Sequence, residues 1–298
     1  MTDKALKDIY LKEFHKSNDA KFVPFAGYEM PINYKKGIIN EHLHVRNQTG
    51  IFDVSHMGQI LITLSKDNIS ALETFIPLDL TTIPSNKCHY SFILNSKGGI
   101  IDDIMLSKIH LDNKDSIYIV YNSSRKNILN AIFNKKLKNF EIIQDRCLIA
   151  IQGPDSFLSL NTILNPPLSM KFLDIEIIKY ENLNIYLSRS GYTGEDGFEL
   201  SILNEHAEKL IKQILDNSNA ILCGLGCRDS LRLEAGLSLY GNEINEDITP
   251  IQAELTWALN KNRLQDNKLN GSTILLQELN TSVKIKKIGF TSINKTML

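Results

Sequence analysis

Apolar positions along this chain come in short runs with two different periods, one suited to strands and one to helices. Residues 90–94, 100–108 and 116–121 are three successive runs rich in Ile, Leu and Tyr. Turn-forming residues at Ser96-Lys97-Gly98-Gly99 and at 112–114 separate them, and runs bounded in this way read as strands. Strands are also predicted over 59–64, 147–151 and 198–202. A hairpin over 175–180 and 183–189 turns at Glu181-Asn182. Helical spacing is read at 3–15 (Leu6, Ile9, Tyr10, Phe14), 69–76, 125–137, 155–164, 206–215 and 227–235. A further helix spans 37–50, with Ile38, Ile39, His42 and Val45 on one face and Gly50 closing it. Residues 22–32, punctuated by Pro24, Gly27 and Pro31, read as an irregular loop studded with aromatics. Strands and helices interleave, but the successive short strands and the hairpin favour antiparallel pairing. The fold class is therefore α+β rather than a doubly wound parallel sheet. No G-x-G-x-x-G follows a strand and no G-x-x-x-x-G-K-[ST] occurs, so dinucleotide and nucleoside-triphosphate folds lack their sequence warrant.

Length and composition change this picture little. The chain has 298 residues, which suggests two or so domains at roughly 100–200 residues each. Net charge is −1 and the pI about 6.7, so no global basic field points to nucleic acid or to an anionic membrane. The basic runs Lys135-Lys136-Leu137-Lys138 and Lys284-Ile285-Lys286-Lys287 read as solvated faces. Met1-Thr2-Asp3-Lys4 does not resemble a secretory signal, and no apolar stretch approaches the ~18 residues of a membrane span. A cytoplasmic location and no membrane partner are the expectations. Cys88, Cys147, Cys223 and Cys227 read as reduced thiols. Cys223 and Cys227, four apart, could share a helix face, but no second ligand cluster accompanies them and no metal is expected.

The segment Gly98-Gly99-Ile100-Ile101-Asp102-Asp103 carries the candidate chemistry. Consecutive strand side chains face opposite ways, so Asp102 and Asp103 should point to opposite faces of their sheet. On these residues alone, a pair of turn or strand-end aspartates is the favoured reading.

Five stretches carry a wider resemblance. They are Phe25-Ala26-Gly27-Tyr28-Glu29-Met30-Pro31, then Gly50-Ile51-Phe52-Asp53-Val54-Ser55-His56-Met57-Gly58, and Asn95-Ser96-Lys97 leading into the paired aspartates. The fourth is Gly191-Tyr192-Thr193-Gly194-Glu195-Asp196-Gly197-Phe198-Glu199. The fifth runs from Cys223-Gly224-Leu225-Gly226-Cys227-Arg228-Asp229-Ser230 through Leu231-Arg232-Leu233-Glu234-Ala235-Gly236 to Leu239-Tyr240-Gly241. From about residue 5 to about 260 the chain resembles the aminomethyltransferases of the glycine cleavage system, the T-proteins. The resemblance implies an enzyme that takes the aminomethyl group from the dihydrolipoyl arm of an H-protein. It would pass the one-carbon unit to tetrahydrofolate, its co-substrate, releasing ammonia, with other glycine cleavage components as transient partners.

The resemblance also implies site roles. Asp102 matches the catalytic aspartate, which would move a proton and stabilise an iminium-like cation, with Asp103 structural. Glu199 matches the carboxylate that grips the pterin, and Arg228 an arginine suited to the glutamate tail of folate. Tyr90, Asn122 and Tyr192 resemble pocket positions, Met57 would pack on the pterin, and His56 reads as a core histidine. Glu195 could stand in for Glu199 but reads as solvent-exposed. The implied fold is the folate-binding one of two interleaved subdomains, split near 1–55 plus 229–280 and 56–228. Family chains continue into a C-terminal β-barrel, and residues 281–298 look like its start, with a first strand over 285–291. Lys268-Leu269-Asn270-Gly271 is a weakened match to the family. Two alternatives are another folate-dependent demethylase of the superfamily and a non-catalytic folate-binding relative.

Overall fold

Three sheets organise the chain in the computed structural model, which describes residues 5–290. The smallest is built by β1 (Lys7–Asp8), β2 (Lys21–Phe25) and β3 (Tyr28–Asn33), in the order β1-β3-β2. Here the structure departs from the expected N-terminal helix and aromatic loop. Lys7 and Asp8 pair in parallel with Tyr28 and Glu29, which leaves only α1 (Lys12–Ser17) helical. Residues 21–33 form a hairpin that turns at Ala26 and Gly27, both at positive φ. Pro24 is tolerated because β2 is an edge strand, and Pro31 because β1 pairs no further than Glu29.

After α2 (Ile38–Asn47) come β4 (Gly50–Asp53) and β5 (Gly58–Thr63). The helix buries Glu41 and Val45, whereas Ile39 is 74% exposed, so the expected apolar face is not the one that packs. Gly50 does not close the helix but starts β4, where a Cβ would lie 2.4 Å from Val45 Cγ2. Next are α3 (Lys66–Leu72), β6 (Cys88–Leu94), β7 (Ile100–Leu111), β8 (Lys114–Tyr121), α4 (Lys126–Lys136) and β9 (Phe140–Ile143). Strands β5 to β9 make a five-stranded sheet ordered β6-β7-β8-β5-β9, entirely antiparallel. One face buries Ile60, Ile93, Ile104 and Leu106 against Leu72, Leu129 and Phe133 of the two helices.

The rest of the chain supplies β10 (Arg146–Gln152), α5 (Ser156–Asn161), β11 (Ile175–Tyr180), β12 (Leu183–Ser188), β13 (Gly197–Leu203), α6 (Asn204–Asn217), β14 (Ile221–Leu222) and α7 (Leu225–Glu234). These strands join β4 in a six-stranded sheet, ordered β11-β12-β13-β10-β4-β14. Phe198, Leu200 and Ile202 of β13 alternate onto the face covered by α5 and α6. Val45, Phe52, Ala150, Cys227 and Leu231 pack on the other face.

Because β4 pairs with β10, residues 146–222 belong with 50–53, and 58–143 stand as one contiguous sheet. The two larger sheets meet through Cys88, Ile109, Tyr118, Ile175 and Tyr186. Helices α8 (Lys261–Leu264) and α9 (Ser272–Asn280) pack Leu264 and Leu275 on Phe92, Leu94 and Ile100. Residues 281–290 carry no strand. The remainder of the strand expected over 285–291 lies outside the described residues. Among the described residues no helix is long and apolar enough to cross a membrane.

Candidate active site

The site is built where the two larger sheets face each other. Strand β7 bulges against the Ile93–Leu94 step of β6, so that Ile93 pairs with Asp102 while Leu94 pairs with Ile100. Alternation then sends Asp102 to the face of Ile93 and Ile104, under the helices, where it is 0% exposed. Asp103 points to the opposite face and is only partly buried, with Met105 two residues on. This is the face turned toward the six-stranded sheet.

Asn122, which follows the last residue of β8, ties the two carboxylates together. Its Nδ2 donates to Asp102 Oδ1 and to Asp103 Oδ1, each at 2.7 Å. The Asn122 backbone N–H donates to Asp102 Oδ2 at 3.0 Å. Both oxygens of Asp102 are thus taken up inside the protein. Asp103 Oδ2 instead accepts from the Tyr90 hydroxyl at 3.1 Å. Burial raises both acids, and the nearby charge of Asp103 adds to the rise of Asp102 well above the carboxylate range. Asp103 is pushed up to about 6, with the bonds from Tyr90 and Asn122 opposing burial. Each carboxylate thus has protein donors on both oxygens; what separates the two is place, Asp102 lying under the helices and Asp103 on the face turned toward the six-stranded sheet.

Across the gap, Glu199 of β13 pairs with Ala150 and Ser188, on the face opposite Phe198 and Leu200. Its Oε2 accepts from Ser190 Oγ at 3.0 Å, and its Oε1 lies 3.9 Å from Arg228 Nη2. Arg228, in the first turns of α7, lies over the Tyr192 ring with its guanidinium 4.9 Å from the centroid. Its Nη1 is buried and has no protein partner. The nearby acids Asp229 and Glu234 pair elsewhere, with Arg232 and Arg46. Glu195 is likewise tied to Arg46, at 3.0 Å. Burial raises the Tyr192 phenol, Arg228 opposes the rise and Asp103 adds to it.

Two contacts lay beyond the reach of the sequence. Trp257 is stacked on Tyr90 with centroids 5.4 Å apart and stands 68% exposed. A small cleft between the sheets has room for about 20 Å3. Met105, Tyr118 and Val120 line it from one side, and Leu148, Ser190 and Glu199 from the other. Of the expected residues only Glu199 lines this cleft.

Met57 packs on the apolar cluster that contains Leu148. His56 is buried edge-on against Phe25 and Tyr28 with its Nδ1 unpartnered. Burial pushes its imidazole down to about 3, helped by Arg228 and Lys126, so it is neutral at physiological pH. Lys126 Nζ donates to the Tyr28 hydroxyl at 3.0 Å, and burial pulls its ammonium down to about 8.

One expectation fails on distance. Arg228 and Glu199 are 3.9 Å apart, too close to grip opposite ends of a folate, whose pterin and glutamate are separated by an aminobenzoyl unit. Cys223 lies before α7 rather than on it, and its thiol, that of Cys227 and the Glu41 carboxylate fall within 4.8 Å of one another. Both Glu41 oxygens are engaged by backbone N–H groups, from Tyr34 at 2.6 Å and Gly224 at 2.9 Å.

Residues 11–263 match the family model described as the GCVT N-terminal domain. A mitochondrial aminomethyltransferase of Dictyostelium discoideum is 40% identical over 293 residues, spanning 92% of this chain and 72% of that protein. The mitochondrial aminomethyltransferase of Pisum sativum is 37% identical over 303 residues, covering 98% and 73%. Among solved structures, the glycine cleavage system aminomethyltransferase T of Bartonella henselae superposes with a TM-score of 0.84 at 36% identity, over 92% of this chain and 75% of that one.

Proposed function

The chain belongs to the GCVT N-terminal domain family of glycine cleavage aminomethyltransferases, and from that membership we propose the substrates and the residue roles. It takes the aminomethyl group carried on the dihydrolipoyl arm of an H-protein and transfers its one-carbon unit to tetrahydrofolate, giving 5,10-methylenetetrahydrofolate and ammonia. The observation that carries this reading is a pair of polar clusters on the facing sides of the two larger sheets, Asp103 held by Tyr90 and Asn122, and Glu199 beside Arg228, which lies over Tyr192.

Each group suits a part of that chemistry. A carboxylate can accept two parallel N–H bonds from the amino-pyrimidinone edge of a pterin, and Ser190 fixes Glu199 for this task. The neighbouring edge of a pterin carries a carbonyl oxygen. The unpartnered Nη1 of Arg228 is a buried donor that such an oxygen would satisfy. Glu199 and Arg228 together thus hold the pterin end. Tyr90, Trp257 and Tyr192 offer aromatic faces for flat rings.

Asp103 supplies the charge. When the carbon–sulfur bond to the carrier's arm breaks, positive charge develops on the aminomethyl carbon and nitrogen. An ionised carboxylate held by Tyr90 and Asn122 stabilises that cation without reorganising. The same group can take up a proton as the folate nitrogen attacks. Asp102 anchors Asn122, which in turn holds Asp103.

Ammonia release from aminomethyl-loaded H-protein, followed with and without tetrahydrofolate, tests the reading. Release accelerated by tetrahydrofolate supports it. Failure of the loaded carrier to react, with turnover of a small methylated amine instead, contradicts it.

A further inference from the structure

We propose that Gln152, the last residue of β10, is a positioning residue that sets the pterin-binding groups by filling the loop 190–198 with its amide. This deepens the folate reading given above and rests on it.

Gln152 is 0% exposed and lies opposite Gly197 and Gly50 in the six-stranded sheet. Its Nε2 donates to Ser190 O at 3.0 Å and to Phe198 O at 3.3 Å. Its Oε1 accepts from Thr193 Oγ1 at 3.0 Å. One amide therefore fastens both arms of the loop and its middle.

The loop has the glycines this arrangement needs. A Cβ at Gly191 would lie 1.8 Å from Gln152 Oε1, and one at Gly197 would lie 2.4 Å from Nε2. Two of the motif's three glycines, Gly191 and Gly197, are thus matched to the amide rather than to solvent or ligand. Their presence on either side of Tyr192 follows from Gln152.

What the loop carries is the functional part. Ser190 donates to Glu199, and Phe198, whose carbonyl Gln152 holds, is the residue before it. Tyr192, between Ser190 and Thr193, lies under the Arg228 guanidinium. Gln152 is fully buried and its amide is taken up by Ser190, Thr193 and Phe198, so it acts through Glu199 and Tyr192 rather than on a ligand. The charged groups around the loop are already paired, Arg46 with Glu195 and Arg189 with Asp196.

Gln152→Glu gives a diagnostic test, because it keeps the shape and the acceptor for Thr193 but turns an oxygen toward two carbonyls. As a carboxylate it repels both. As a carboxylic acid it can donate to one of them, and burial beside carbonyl oxygens favours that neutral form. The dissociation constant for tetrahydrofolate is measured for wild type and variant between pH 5.5 and 8.5, with protection of loop amides against hydrogen exchange at each pH. At pH 8.5 the variant should bind at least ~10-fold more weakly than wild type, as for one or two lost buried hydrogen bonds. The deficit and the lost protection should both shrink as pH falls.

Thr193→Val removes only the bond to Oε1. It should weaken binding by a smaller, pH-independent factor, which serves if Gln152→Glu does not fold at high pH. Wild-type affinity and wild-type loop protection in Gln152→Glu across this range would overturn the proposal, as would wild-type values in Thr193→Val where Gln152→Glu is unfolded. If wild type fails to bind tetrahydrofolate, the folate reading fails. The exchange data then still decide whether Gln152 holds the loop.

Discussion

Asp102 and Asp103 are chain neighbours whose carboxylates lie on opposite faces of one strand yet meet on the same amide nitrogen, Nδ2 of Asn122, at 2.7 Å each. Strand alternation separates them and Asn122 rejoins them. Two carboxylates in so small a space cannot both ionise freely. Burial and the neighbouring charge of Asp103 hold Asp102 well above the carboxylate range, and burial pushes Asp103 up to about 6. A site that needs an ionised carboxylate beside a developing cation has one, above that pH, in Asp103.

This arrangement sets the pH dependence of turnover. Asp103 must be ionised, so kcat/KM should fall as pH drops through about 6. The hydrogen bond from Tyr90 holds the acid down, so Tyr90→Phe should raise its pKa and move the acid limb to higher pH. A pH–rate profile for the two proteins checks this. An acid limb that stays put or moves down would contradict the role given to Tyr90.

Glu199 and Arg228 should behave as one clamp. Glu199→Gln and Arg228→Ala should each weaken binding of a tetrahydropterin lacking any glutamate tail, by ~1.5–3 kcal/mol for a lost charge-assisted contact. Calorimetry with tailed and untailed ligands reads the difference. If Arg228→Ala weakened only the tailed ligand, the arginine would be serving the tail after all.

Trp257 is the single tryptophan of the chain and is stacked on Tyr90 at the site. Binding of tetrahydrofolate should therefore change its fluorescence, and Trp257→Ala should weaken binding by ~0.5–1.5 kcal/mol, the range for an aromatic pair. Emission unaffected by saturating ligand would place the ligand elsewhere.

Stability should depend on a buried relay away from the site. His15 Nε2 bonds Asp53 Oδ2 at 2.8 Å, and the Tyr34 hydroxyl bonds His15 Nδ1 at 2.8 Å. Asp53 is held below the usual carboxylate range despite burial, chiefly by its bond to His15. Its contribution is present above the unfolded-state pKa and is lost as pH falls through the folded one. His15→Ala should cost ~3–5 kcal/mol at neutral pH because it strands a buried charge. Urea denaturation measures it, and adding Asp53→Ala should recover part of the loss.

Much of this fold was legible in the sequence because many of its strands alternate cleanly or end in turn residues. The runs in β6, β7 and β8 and the hairpin of β11 and β12 fall within a few residues of where the spacing puts them. The N-terminal hairpin was not legible, because its prolines are tolerated only by edge pairing that no local pattern reveals. On α2 the buried charge of Glu41 displaced the apolar stripe, since its oxygens serve backbone N–H groups of distant segments. At the site, the residue types were readable, but the choice between adjacent aspartates depended on the β7 register. That register is set by a bulge with no sequence mark beyond the paired glycines. Trp257 and Gln152 act through contacts that only the tertiary structure brings together.

The most direct test is a single turnover with aminomethylated H-protein and tetrahydrofolate, following 5,10-methylenetetrahydrofolate in wild type, Asp103→Asn and Asp102→Asn. Asp103→Asn should form product at least ~10²-fold more slowly, as for a lost acid–base and charge-stabilising group, while still binding tetrahydrofolate. Asp102→Asn should retain much more of the rate. Product formed by Asp103→Asn at the wild-type rate, with Asp102→Asn inactive, would contradict the assignment of the reacting carboxylate.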